Sequence, residues 1–357
     1  KSPAAVAAAV AAAAPQAGSL FPFAAFSASY FAHIGFFNPY LSLWLKDLGI
    51  GLLAIGLLTS VQAATRVFAP YAWGALSDRT GERVRLMRLG AGVAFVASFG
   101  FWVDGGAPWL AVVLLLTFTN TSAMMSMCEA AMAHLVSDGG VFDVRRYGRV
   151  RMWGSCGFLL TVMLAGVWFD RFGMRFFPVI TTLTLAAVLL SAWRLPDTRE
   201  QVQGPVSSLP VWPVLRQPKV LWFFAAIFFH ILSHMGVYIY LSLYLDANGH
   251  DKTVIGMLWA VSVVAEIGWF YWQGRWLPRL PLLSWLIVCG VVTALRMGVT
   301  AAGASVLVLM VLAQIAHAFT FAAHHASCVA LLNGYFPGRL RGRGQALYTV
   351  IGYGVPG

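Results

Sequence analysis

Charge is what this chain has least of. Of its 357 residues only 13 are Asp or Glu, and all charged residues together make up 10%, against about 25% in soluble domains. Hydrophobic residues make up 59%. No soluble fold buries that much apolar surface, so a water-soluble enzyme or binding module is excluded. Cysteine is also scarce. Cys128, Cys156, Cys289 and Cys328 all fall in apolar stretches and show no metal-ligand spacing. That excludes a disulfide framework and leaves them as packing residues.

What is present is long apolar runs: 20–45, 51–74, 86–103, 108–135, 151–169, 176–194, 218–245, 253–274, 282–300 and 304–333, with an eleventh beginning near Ala346. Each of the ten is long enough for a helix that crosses a bilayer, which takes about 20 residues. The formal net charge is +11, which could suggest a nucleic-acid partner, but its placement speaks for a membrane. Alternate loops carry most of the base: Arg79, Arg83, Arg85 and Arg88; Arg145, Arg146, Arg149 and Arg151; Arg194, Arg199, Arg216 and Lys219; Arg275 and Arg279; Arg339, Arg341 and Arg343. The opposite loops hold Lys46, Arg171, Arg175 and Lys252. A nucleic-acid face would not alternate with loop parity. The positive-inside rule places the N-terminus and the basic loops in the cytoplasm.

The chain also repeats itself 200 residues on. Ile55-Gly56-x-Leu58 returns as Ile255-Gly256-x-Leu258, and Gly74 as Gly274. Tyr40-Leu41-Ser42-Leu43-Trp44-Leu45 returns as Tyr240-Leu241-Ser242-Leu243-Tyr244-Leu245. His33 and Gly35 reappear, one residue out of step, as His234 and Gly236. In this frame Arg66 faces Glu266. Both lie deep in apolar runs, where an ionisable side chain is costly and usually functional. Two parallel half-proteins with buried charge at matching depth imply a transporter. The first copy supplies six spans over residues 20–194. The linker is 195–217, rich in Pro, Gln and Ser, and the second copy covers 218–357 with four spans and part of a fifth. The repeat therefore predicts that the chain as given is truncated within the eleventh span. Residues 1–19, Ala-rich with two prolines, read as a disordered tail.

The loop after the second span reads Gly74-Ala75-Leu76-Ser77-Asp78-Arg79-Thr80-Gly81-Glu82-Arg83-Val84-Arg85-Leu86. It resembles the G-x-L-a-D-R-x-G-R-K-x-x-L signature of the major facilitator superfamily, departing mainly at Glu82. Gly81 permits a tight turn, and Asp78 can offer its carboxylate to a helix N-terminus of the other half, where the dipole favours an anion. Arg79 and Arg83 can anchor to headgroups or helix C-termini. In that resemblance the motif reports gating, not cargo.

A narrower resemblance rests on Tyr147-Gly148-Arg149-Val150-Arg151-Met152-Trp153-Gly154-Ser155, Val264-Ala265-Glu266, Leu295-Arg296, and His317 with His324, together with Glu129 and Arg66. These are similar to the 3-phenylpropionate/proton symporter family, related to lactose permease and the nucleoside/proton symporters. The resemblance implies an all-α membrane protein of the bacterial inner membrane, two parallel six-helix bundles, monomeric, and no cofactor. It implies proton-driven import of a small organic solute such as an aromatic acid. Alternatives on the same fold are a proton-driven exporter, which Glu129 keeps open, and a nucleoside or sugar symporter. A histidine-box metalloenzyme built on His317, His324 and His325 is the weakest alternative, because the cluster is single and lies within a span.

The ionisable groups at depth are few. Glu266 is the expected proton carrier, since a buried Glu that gains and loses a cationic neighbour can load and release a proton. His317 and His324, seven residues apart, are expected on one helical face of a cavity-lining span; they could bind substrate, relay a proton, or be satisfied by the backbone. Arg296 is expected to clamp a substrate carboxylate or to pair with Glu266. Arg66 is expected to neutralise Glu129 or pack between the halves, with Glu129 facing the cavity.

Overall fold

The computed structural model describes residues 20–132, 137–138, 141–142, 144–197, 211–336, 344 and 347–356. The N-terminal tail, His134, Arg199, most of the linker and Arg339, Arg341 and Arg343 lie outside the described residues, as do the side chains of Asp78, Arg145, Arg146 and Arg149.

A backbone in lipid has no water to bond, so its polar groups must be satisfied within the segment, and helices result. The helices are α1 (Phe21–Asp47), α2 (Leu52–Thr80), α3 (Arg83–Ser98), α4 (Gly106–Thr121), α5 (Met124–Met132), α6 (Val144–Phe172), α7 (Phe177–Trp193), a short α8 (Trp212–Leu215), α9 (Pro218–Ala247), α10 (Lys252–Trp276), α11 (Leu282–Ala302), α12 (Leu307–Ile315) and α13 (His324–Tyr335). α4 and α5 together form the fourth span. α12 and α13 form the tenth, joined through a π-helical stretch at Ala318–Ala323. A second π turn, Val350–Gly354, belongs to the eleventh. Among the described residues nine helical stretches are long and apolar enough to cross a membrane. α1, at 27 residues, is as long but interrupts its apolar run with Ser27, Ser29, His33, Asn38 and Ser42. Side chains such as Trp222, Leu164 and Ile287 stay exposed on the outer surface of the bundle, as helices bathed in lipid require. Where the loop arginines predict a later start for the third and fifth spans, α3 begins at Arg83 and α6 at Val144. Arg151, expected at the first residue of the fifth span, thus lies about two turns inside its helix.

Helix ends follow the repeat. Gly49 and Gly249, mates in the two copies, both take positive φ, 78° and 87°, a conformation that favours glycine. Gly81 does the same for α2: its φ is 67° and its N–H reaches the Ser77 carbonyl at 2.8 Å, a left-handed cap.

Small residues let backbones meet. A Cβ on Gly157 would strike the Ala28 carbonyl, and one on Gly35 the backbone of Phe158. α1 and α6 therefore lie in close contact, tied by Thr161 Oγ1 donating to the Ala32 carbonyl at 2.7 Å. α6 also packs on α10, and α1 on α9, which joins the two halves.

The buried core divides unequally. One cluster spans both halves, combining Phe37, Tyr40, Leu45, Ile55 and Phe169 with Leu241, Leu245 and Ile255. The other clusters keep to one half: Phe23, Met87, Met127 and Val150 in the first; Phe224, Cys328 and Tyr348, and the Trp269–Trp285 group, in the second. The halves are joined at the end carrying the α1–α2 and α9–α10 loops and separate toward the other end.

Candidate functional site

The joined end is held by contacts that respect the repeat. Tyr40 Oη donates to the carbonyls of Val162 (2.9 Å) and Lys252 (3.2 Å), and Tyr240 Oη to that of Leu52 (3.4 Å). Leu52 and Lys252 are themselves repeat mates. Each hydroxyl rests on the opposite glycine, Tyr40 on Gly256 and Tyr240 on Gly56, where a Cβ would leave no room. Lys46 pairs with its own mate, Asp246, at 2.8 Å. Asp170, at the end of α6, accepts the N–H of Lys252 (2.7 Å), the N–H of Thr253 (2.6 Å) and the Thr253 hydroxyl. A carboxylate of the first half thus caps the N-terminus of α10 in the second.

Between the halves lies a cavity of about 860 Å3. Its walls are largely apolar and aromatic, with Phe31 and Phe158 on the first half and Tyr238, Trp259, Phe321 and Tyr353 on the second. Among the described residues, four ionisable groups that could carry charge at neutral pH line it: Arg66 from α2, Arg151 from α6, Glu266 from α10 and His317 at the end of α12.

Glu266 and His317 are the start of a row. His317 Nε2 lies 2.9 Å from Glu266 Oε1. On the other side of the ring, Arg296 Nη1 lies 2.9 Å from His317 Nδ1 and 2.9 Å from Thr320 Oγ1, and Nη2 lies 3.3 Å from Gln314 Oε1. A guanidinium only donates, so Nδ1 must accept. The ring is therefore neutral with its proton on Nε2, and it donates that proton to the carboxylate. Arg296 is 3% exposed and Gln314 1%, so the row runs from the cavity wall into the second half. Burying a guanidinium there requires these partners.

The sequence-predicted residues fall into distinct places. Glu266, His317 and Arg296 come together, with the imidazole between the two charged groups. Arg296 stands behind His317 and is not among the cavity-lining residues. Arg66 lines the cavity on the wall of the first half. Glu129 is half-buried on α5, outside the cavity lining. His317 and His324 do not share surroundings, because the π-helical stretch between them changes the turn. His324 stacks on His230 with ring centres 3.6 Å apart, and its ring nitrogens lie 3.7 Å from Cys328 Sγ. His230 reaches the Thr320 carbonyl at 2.7 Å, and His325 the Tyr348 hydroxyl at 2.9 Å. These histidines are satisfied locally, and among the described residues no group of three or more His, Cys, Asp and Glu could hold a metal.

In the loop motif, Gly74 lies in α2, Arg79 is exposed at its end, and Arg83 Nε donates to Ser77 Oγ at 3.0 Å. Arg88 ties the start of the next span to the end of α7 through the Leu195 carbonyl (2.6 Å) and Asp197 (2.7 Å).

Two features escape sequence reading. The crosswise Tyr–Gly contacts were signalled only as a repeat. Arg151, counted with the basic loop at the very start of the fifth span, lies on the cavity wall with its guanidinium 4.2 Å over the Phe31 ring.

A family model described as the MFS_1 like family matches residues 23–357. The chain is 26% identical over 334 residues to the "Probable 3-phenylpropionic acid transporter" of Escherichia coli (strain K12), covering 91% of this chain and 85% of that protein. It is 26% identical over 281 residues to the "Maltose permease" of Geobacillus stearothermophilus, covering 74% and 67%. Among solved structures, the fold is similar to the nucleoside transporter NupG (TM-score 0.81, 15% identity, 94% of this chain and 88% of that one). It is also similar to a D-xylose-proton symporter (TM-score 0.70, 12% identity, 95% and 89%).

Proposed function

The chain belongs to the MFS_1-like family of major facilitator transporters, and on that premise we propose that it is a proton-coupled symporter that imports a small organic acid by alternating access. The observation that carries this reading is the row Glu266–His317–Arg296 opening on the cavity. Glu266 is the cavity's one carboxylate among the described residues, and it is placed to hold or release a proton as the halves move. His317 donates to it when it is ionised. Arg296 fixes the ring orientation and is a positioning residue. The acid as cargo draws support from the relative named as a 3-phenylpropionic acid transporter, and an apolar body for it from the aromatic cavity walls.

Loop charge parity supports a joined end outside the cell and a separate end in the cytoplasm. In that frame the cavity is closed to the outside and the conformation is inward-facing. The motif Gly74, Asp78, Arg79, Gly81 and Arg83 then lies on the inner side, where Asp78 is assigned to the inner gate. The membrane is the bacterial cytoplasmic membrane and the transporter works as a monomer.

The test is proton uptake by the purified chain in liposomes, read with an external pH electrode against protein-free liposomes. Addition of 3-phenylpropionate to weakly buffered vesicles should alkalinise the medium faster than in the protein-free control. Equal rates with and without protein, across a panel of aromatic acids, nucleosides and sugars, would remove the proton-coupled reading.

A further inference from the structure

The row at Glu266 accounts for one wall of the cavity and leaves the facing wall with two guanidinium groups. Neither Arg66 nor Arg151 has a carboxylate within ion-pair distance among the described residues; the pairs present there involve Lys46, Arg85, Arg88, Lys252 and His317. Among the described residues the electrostatic neighbours of Arg66 are the tyrosines Tyr30, Tyr238 and Tyr353. Arg151 rests one face on Phe31, which holds the group in place, and has Glu266 as an electrostatic neighbour beyond ion-pair distance. Unpaired cations at membrane depth are costly, and a planar fork of donors is the arrangement suited to a carboxylate.

Resting on the reading above, we propose that Arg66 and Arg151 form the carboxylate end of the substrate site. They would hold the anionic group of a monocarboxylate whose apolar body lies against Phe158, Trp259 and Phe321. Arg296, buried behind His317, does not touch the substrate.

This assignment fixes a charge relation. The empty cavity with Glu266 ionised carries two positive groups and one negative. The loaded cavity, with Glu266 protonated and a monoanion on the arginines, carries the same two positive groups and one negative. The negative charge moves from the glutamate to the substrate, and the cavity sum is unchanged. Proton and anion therefore favour each other's binding, and by linkage the effect is reciprocal. One proton taken up by Glu266 on the outer side enters with one monoanion and is released on the inner side, so each cycle moves no net charge. The groups that surround Glu266 in this exchange are His317, Arg296, Arg151, Tyr238 and Tyr353, with Arg66 on the facing wall.

The experiment measures binding to the full chain in detergent, without any gradient. The probes are four monocarboxylates (3-phenylpropionate, benzoate, 4-hydroxyphenylacetate and hexanoate) and the four matching neutral amides. The wild type should bind at least one acid about tenfold or more tightly than its amide, the loss expected when a charge-assisted hydrogen bond is removed. Arg66→Gln and Arg151→Gln should each weaken that acid by a similar factor and leave the amide unchanged. Lysine at either position should restore part of the affinity. Amides that bind as tightly as acids, or no acid bound at millimolar concentration, overturn the site. The wild-type comparison decides this even where a variant fails to fold. Uptake of the acid by wild-type vesicles should not respond to an imposed membrane potential; uptake accelerated by an inside-negative potential overturns the one-to-one balance. Acid binding that depends on both arginines, with no proton uptake, would keep the site and discard the proton-coupled reading. Proton uptake with binding indifferent to both arginines would do the reverse.

Discussion

Glu266 accepts from the Nε2–H of His317, and the Nδ1 of His317 accepts from Arg296, so three residues on three helices share one chain of donors and acceptors. Removing the middle member separates the outer two. His317→Ala leaves the Glu266 carboxylate without its imidazole donor and Arg296 Nη1 without one acceptor. Uphill uptake should fall about tenfold or more, the scale of a lost hydrogen bond to a charged group, while exchange of labelled for unlabelled substrate across the membrane persists. Uphill uptake at the wild-type rate would show that Glu266 works without the ring. Much of this site is legible in the sequence, because an ionisable residue in an apolar run stands out whatever the fold. Glu266, Arg296, His317 and Arg66 are found that way. Which of them touch depends on the packing of three helices, which no spacing within one helix reveals. Arg296 at the bottom of the row rather than on the cavity wall is an outcome of that packing. Arg151 is hidden in the sequence for a different reason. It sits beside Arg149 at the edge of an apolar run, where the composition of a loop and of a helix start are the same.

At the scale of elements, the joined end depends on two tyrosines laid on two glycines and on Asp170 capping α10. The repeat makes Tyr40, Tyr240, Gly56 and Gly256 visible in sequence, but the exchange of partners between halves appears only when the helices are packed. Gly256→Leu has no room beside Tyr40 and the Val162 carbonyl, so it should prop this end open. With Cys156→Ser as background, a cysteine at Ser42, buried beside Tyr40, should react faster with an impermeant maleimide added outside cells. Unchanged labelling would remove these contacts from the gate. Asp170→Asn loses the charge of the cap, a change of about 1 kcal/mol. It should act in the same direction as Gly256→Leu, with a smaller gain in labelling. The π-helical break at Ala318–Ala323 is the element that sequence periodicity misjudges. An α-helical count places His317 and His324 on one face, whereas the wider turn leaves one on the cavity and the other stacked on His230.

For the whole molecule, composition and repeat foretell two bundles of membrane helices, and the fold agrees because a backbone in lipid has few other solutions. The unequal core, shared at one end and divided at the other, is not written in either half alone. It is a property of how the halves lean. The orientation proposed from loop charge is testable by itself: a cysteine at Glu200 in the linker should be labelled by an impermeant maleimide only after cells are opened, and labelling in intact cells would invert the topology. The central claim, that Glu266 carries the proton that drives uptake, is tested most directly by Glu266→Gln in vesicles, with exchange and uphill accumulation measured on the same preparation. The glutamine copies the protonated carboxyl. The account predicts exchange near the wild-type rate and no pH-driven accumulation, since exchange needs no deprotonation and net cycling does. Accumulation by Glu266→Gln at the wild-type rate would contradict it and place the proton elsewhere.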